Sequence, residues 1–176
     1  KKLDVCICIS RAQAKIYREN GFKKIKVIYN PMSFSKVDFK RDSEKQIVYA
    51  CRLTPGKGPA LLLEALPQVF KKFRNLKILI AGEGLLKDEL KTIAKQNNFD
   101  KKIDFLGQLD HPKLLKIYSE SLLTVVPSIW PEPFGRTALE SISQGTPVVA
   151  TDKGGIKEII DDSDTGYVDE AKSDSL

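Results

Sequence analysis

Two acids, Glu132 and Glu140, lie on either side of a Pro-Phe-Gly turn in the stretch PSIWPEPFGRTALESISQG. Pro131 and Pro133 bias Trp130 and Glu132 toward extended backbone, so the loop is stiff and Glu132 projects at its end. Gly135 lets another molecule approach the backbone closely, and the pattern predicts a helix starting near Arg136. The N–H groups of Gly135, Arg136 and Thr137 then lack intrahelical acceptors and form a seat for an anion. Glu140, one turn further on, would repel that anion unless it reaches past it to hydroxyls. A carboxylate accepts two hydrogen bonds, which suits a vicinal diol such as a ribose. Glu132 could take sugar hydroxyls on the other side. The plainer alternative is a pair of acids near a helix N-terminus, each worth about 0.3–1 kcal/mol against the helix dipole.

A second stretch, ACRLTPGKGP, sets Arg52 and Lys57 five residues apart across a Pro-Gly turn that opens a helix. Two cations beside free helix N–H groups could hold a diphosphate; a solvated basic turn is the alternative. The stretch is not a P-loop, which would need glycine at position 51 and Ser or Thr at 58. Gly82 and Gly84 in AGEGLLKDEL read as a tight strand-to-helix turn, because Lys87 breaks the dinucleotide fingerprint. Gly154-Gly155 in TDKGGIKEI is read in the same way, as a turn. Asp162-Ser163-Asp164 follows a helix and reads as turn chemistry, not a metal site. His111, the only histidine, is expected on the wrong side of the sheet for catalysis.

The elements that position these loops alternate along the chain. Short Val/Ile/Leu runs (QIVYACR, LKILIAG, IDFLG, LLTVVPS, PVVATD, GYVD) are separated by helical stretches such as PALLLEALPQVFKKF and LLKDELKTIAKQNN. The second of these has apolar residues at 86, 90 and 93–94, a helical period. Continuous apolar strands between helices indicate a parallel sheet covered on both faces, an α/β, doubly wound, Rossmann-like fold. In such sheets ligands bind outside the carboxyl ends of the strands, so the loops that follow strands are the candidates. The opening piece, DVCICIS through IKVIYN, is a separate strand-helix-strand unit followed by a polar, basic, irregular stretch. We read residues 1–40 as the tail of a preceding domain plus linker. Residues 41–176 form the Rossmann-like domain, with a helix-start signal at its end that implies truncation there.

Composition fits a globular protein, with 41% hydrophobic and 30% charged residues. No apolar run approaches the roughly 18–20 residues of a membrane span. The net charge of +6 is uneven: residues 1–45 hold 12 Lys/Arg against 5 Asp/Glu, and the rest hold 17 against 18. The basic first quarter could meet anionic lipid, an acidic acceptor or a partner domain, or be simply solvated. Of the three cysteines, Cys6 and Cys8 face one side of a strand and read as core. A reducing cytoplasm is the expected compartment, with the basic segment allowing contact with the inner face of a membrane.

Glu132 and Glu140 form E-x7-E, and the segment from Pro127 to Ile160 resembles the signature of retaining glycosyltransferases of family 4, which have the GT-B fold. CRLTPGKGPALLLEAL resembles the donor-phosphate loop of that family, and GEGLLKDEL, IDFLGQL and TGYVD fall in the expected order. The resemblance covers nearly the whole chain. It implies the C-terminal, donor-binding half of an enzyme that moves a hexose from a UDP- or GDP-sugar to a glycan or lipid-linked acceptor. Arg52 and Lys57 would hold the diphosphate and neutralise the leaving group, Glu132 would bind the transferred sugar, and Glu140 the ribose diol. Backbone groups of Phe134, Gly135 and Arg136 would meet sugar and phosphate with Thr137 close behind, and the loop at Gly107–Leu109 would meet the nucleobase. No metal, cofactor or nucleic acid is implied, and the acceptor site would belong to the N-terminal domain. Three positions depart from the family pattern: Cys51 in place of glycine, Asn30-Pro31 in place of Asn-Gly, and Arg136 in place of an apolar residue. A non-catalytic nucleotide-sugar-binding module and a related sugar phosphorylase or synthase stand as alternatives.

Overall fold

The computed structural model describes residues 4–32, 45–161 and 164–170. The expected linker therefore lies largely outside the described residues, as do Asp162 and Ser163. Asp164 is described, in a turn where its N–H donates to the carbonyl of Asp161 at 3.2 Å.

The chain opens with β1 (Cys6–Cys8), α1 (Arg11–Glu19) and β2 (Ile25–Val27). The two strands pair in parallel, Cys6 opposite Ile25. Ser10 starts α1 by accepting a hydrogen bond from the Gln13 N–H at 2.9 Å, the usual N-cap arrangement. Cys6 and Cys8 do share one side of β1, with sulfurs 3.9 Å apart, and Cys8 is fully buried. All three cysteines are free thiols.

Six further strands follow: β3 (Gln46–Ala50), β4 (Lys77–Ala81), β5 (Ile103–Gly107), β6 (Leu123–Val126), β7 (Val148–Thr151) and β8 (Gly166–Asp169). They form one all-parallel sheet in the order β5-β4-β3-β6-β7-β8. Between them run α2 (Pro59–Lys72), α3 (Lys87–Gln96), α4 (His111–Glu120) and α5 (Arg136–Ser143). Alternate strand residues supply the two faces. Tyr49, Ile78 and Ile80 pack against Leu62 and Leu66 of α2 and Leu90 of α3. On the other face Val48, Ala50 and Leu79 meet Tyr118 of α4, and Val126, Val148 and Ala150 meet Ala138 of α5. Each large apolar side chain buried in this way contributes about 1.5–3 kcal/mol. The doubly wound α/β expectation is thus met.

The order in which strands are added reverses at the middle of the sheet. From β3 the strands grow outward through β4 to β5, and the chain then returns to place β6 on the other flank of β3. The helices on either side of this switch diverge, leaving a crevice at the carboxyl ends of β3 and β6. The Arg52–Lys57 loop and the Trp130–Gly135 loop are the two that leave those ends.

Candidate functional site

The loop after β3 turns through a short 3₁₀ segment, Pro55–Lys57, into α2. The hydroxyl of Tyr49 donates to the carbonyls of Arg52 and Lys57, both at 3.3 Å, and pins the loop to the strand beneath it. Gly58 has φ 65°, and a Cβ there would lie 1.8 Å from the Pro127 carbonyl oxygen. Only glycine lets the two loops pass so closely. They are also joined by the N–H groups of Ile129 and Trp130, which donate to the Gly56 carbonyl at 3.0 and 3.3 Å.

This contact brings Lys57 and Glu132, 75 residues apart in sequence, into a direct ion pair between Nζ and Oε1. The same oxygen accepts from Ser128 Oγ at 2.6 Å and from Trp130 Nε1 at 3.0 Å. Lys57 also lies over the Trp130 ring, 5.0 Å from its centre. Glu132 Oε2 has no such partner among the described residues. Ser128 is held in turn by Thr151 of β7, whose hydroxyl donates to its carbonyl. Behind Glu132, the Gly155 N–H donates to its backbone carbonyl at 2.7 Å, while Gly154, with φ 71°, would place a Cβ 2.2 Å from that same oxygen. The Gly154-Gly155 turn therefore has a specific job: it supports the acid from below. Arg52 is exposed, with no ion-pair partner among the described residues.

Gly135, with φ 101°, starts α5, and its carbonyl accepts the first intrahelical bond, from Leu139. The first-turn N–H groups, from Arg136 to Ala138, therefore lie ahead of that first bond and have no intrahelical acceptor. Thr137 turns its side chain back to β3, donating to the Ala50 carbonyl at 3.1 Å and lying 3.6 Å from Cys51 Sγ. Burial pushes the Cys51 thiol up to about 11 against the opposing pull of Thr137 and Lys57, so it stays protonated at neutral pH. Phe134 is buried, its ring 6.1 Å from that of Tyr29. Leu109 packs onto the core beside α4, and the Gly107 carbonyl before it accepts from the Gly82 N–H at 2.8 Å, which ties this loop to the end of β4.

Glu140 is 7% exposed and faces two basic groups. Arg136 Nη2 donates to Oε1 at 2.9 Å, and His111 Nε2 lies 3.6 Å from the same oxygen. The expectation that His111 lies on the wrong side of the sheet is therefore corrected. His111 is the first residue of α4, the helix that follows β5, and a helix that follows a strand begins at the strand's carboxyl end. Asp110 caps that start by accepting from the Lys113 N–H at 2.9 Å, which fixes His111 on the rim.

Sequence reasoning also passed over Ser128, Trp130 and Tyr118. Trp130 and Ser128 gain their roles only from the packing of two distant loops. The Tyr118 hydroxyl is wholly buried with no hydrogen-bond partner among the described residues. Burial, then the nearby Glu140 charge, drives its acidity down. No group of three or more His, Cys, Asp or Glu with metal-holding geometry occurs among the described residues. None of the described helices is long and apolar enough to cross a membrane.

Arg52, Lys57, Glu132, Glu140 and the start of α5 thus share one rim of the sheet, at its switch point. Known proteins share this arrangement of chain. The family described as glycosyl transferases group 1 matches residues 33–176. An uncharacterized glycosyltransferase of Methanocaldococcus jannaschii is 39% identical over 152 residues, covering 78% of this chain and 38% of its own. A glycogen synthase of Mycobacterium tuberculosis is 33% identical over 150 residues, covering 83% of this chain and 36% of its own. Among solved structures, a TarM variant of S. aureus in complex with fondaparinux, α-GlcNAc-glycerol and UDP superposes with a TM-score of 0.87 at 26% identity. It covers 96% of this chain and 34% of its own. Anabaena HepE in complex with UDP and glucose shares the fold, with a TM-score of 0.86 at 24% identity, over 98% of this chain and 51% of its own. The chain therefore spans well under two thirds of the length of these relatives. It belongs to the group 1 glycosyltransferase family.

Proposed function

We propose that the chain is the donor-binding part of a retaining hexosyltransferase that uses a UDP- or GDP-sugar. The observation that carries this reading is the meeting of Lys57 and Glu132 at the switch point. There a cation and a half-satisfied carboxylate stand side by side, with Arg52 and the α5 N-terminus adjoining. The diphosphate would lie between Arg52, Lys57 and the first-turn N–H groups of α5. Glu132 Oε2 would accept from a hydroxyl of the transferred sugar, and Glu140 from the ribose diol. The backbone after β5, through Leu109, would border the base.

In the transfer step the bond from the anomeric carbon to the diphosphate oxygen breaks, and its electron pair stays on the phosphate. The acceptor hydroxyl attacks from that same face, and its proton passes to a phosphate oxygen, so configuration is kept. The charge that develops on the phosphate is met by Arg52, Lys57 and the helix amides, already in place before reaction. No nucleophilic side chain is required, and holding donor and acceptor in register supplies the rest. The acceptor, a glycan or lipid-linked hydroxyl, would sit against a domain preceding the one described here, with residues 1–40 as its tail and linker. The basic first quarter would lie against an anionic membrane surface on the cytoplasmic side.

The test is calorimetry of the chain against UDP-, GDP- and ADP-sugars. Saturable binding of one nucleotide class, lost in Arg52→Ala, is expected; absence of binding to all three overturns the reading. In the full-length protein, Glu132→Ala should abolish turnover, whereas a non-catalytic module would keep its partner binding.

A further inference from the structure

Arg136 is oddly placed. It is the first residue of α5, at the positive end of the helix dipole, where a cation is disfavoured. No acidic residue accompanies it in the first turn. Among the described residues its acidic partner is Glu140, one turn on, whose side chain is 9% exposed while that of Arg136 is 71% exposed. The largely exposed guanidinium is thus held by a nearly buried carboxylate one turn away. It engages the Oε1 atom that His111 also approaches. A carboxylate already holding a guanidinium is a poor acceptor for two ribose hydroxyls. Arg136 also opens the first turn of α5, whose leading N–H groups have no intrahelical acceptor, so in the donor-binding reading its side chain starts beside the phosphates.

We propose that Arg136 is a latch with two seats: over Glu140 in the free chain, and on the donor phosphates once a nucleoside diphosphate arrives, which uncovers Glu140 for the ribose. This rests on the donor-binding reading above and adds to it a specificity rule. A ligand must bring a second phosphate to draw the guanidinium away; a nucleoside monophosphate must displace it unaided. The latch thus favours diphosphates over monophosphates by acting on both sides of the comparison.

The experiment is calorimetry of UMP and UDP, with GMP and GDP in parallel, on the wild-type chain, Arg136→Leu and Arg136→Lys. Arg136→Leu should bind the monophosphate about twofold more tightly, because a partly exposed i,i+4 pair no longer competes. It should bind the diphosphate about tenfold or more weakly, because a charge-assisted contact is gone. Arg136→Lys should restore much of the diphosphate preference. A merely structural role would shift both ligands in one direction, and that result, or no change in either, overturns the latch. Wild-type protein that binds none of the four ligands instead overturns the donor-binding reading itself.

Discussion

Replacing Lys57 by methionine keeps most of the unbranched side chain and removes its charge. The Lys57–Glu132 pair is well shielded, with side chains 16% and 8% exposed. Removing one partner of a buried pair costs about 3–5 kcal/mol when the other charge is left uncompensated. Here Ser128 and Trp130 continue to donate to Glu132. The loss should therefore approach that of one charge-assisted hydrogen bond, about 1.5–3 kcal/mol. If Lys57 also holds the diphosphate, UDP affinity should fall on the order of tenfold to a hundredfold. Adding Glu132→Gln separates the two effects. It removes the stranded charge, so the double variant should recover at least about 1 kcal/mol relative to additivity, while UDP affinity stays low. Urea unfolding and calorimetry of the four proteins measure both quantities. A Lys57→Met chain within about 0.5 kcal/mol of wild type in stability, with unchanged UDP affinity, would refute the pairing and the phosphate role together.

Two other substitutions probe the surroundings of the site. Tyr118→Phe removes a buried hydroxyl that has no partner, so thermal unfolding should shift upward or stay put; a loss above about 1 kcal/mol would mean that the hydroxyl is bonded. Glu158 accepts from the N–H groups of Arg11 and Ala12 at 2.9 and 2.8 Å and from the Tyr29 hydroxyl at 2.8 Å, tying α1 to the turn below Glu132. Burial would raise its carboxyl, but these donors and the Arg11 charge outweigh burial and hold it below its ordinary value of 4.5. Its contribution to stability is thus full above that value and is lost as pH falls through the folded one. The melting-temperature gap between wild type and Glu158→Gln should be constant near neutrality and narrow as pH falls below 4.5; a gap that does not change with pH contradicts the clasp.

Much of this molecule is visible in its residues. The apolar runs around Val48, Leu79 and Val125 announce parallel strands because both faces of such a sheet are buried. Once the strands are placed, the loops after them are the candidate site, and Arg52, Lys57, Glu132 and Glu140 stand out as charges beside glycine and proline. His111 opens the helix that follows the IDFLG strand, so its place on the rim follows from that order, and the expectation of the opposite side misjudged which end of the strand the helix start meets. Trp130 and Ser128 gain their roles from the Gly56 and Thr151 contacts, which link loops far apart in sequence. Glu158 is still less legible, since it caps a helix 147 residues away. Arg136 stands out as a departure from the family pattern, yet only the folded helix shows that it pairs with Glu140.

Hydrogen exchange with and without saturating nucleoside diphosphate tests the central claim most directly, because it reads the backbone of both loops at once. The account predicts that UDP or GDP slows exchange at residues 52–58 and 132–140 together, while the strands beneath remain as they were. Unchanged exchange in those two loops with UDP, GDP and ADP alike would contradict it.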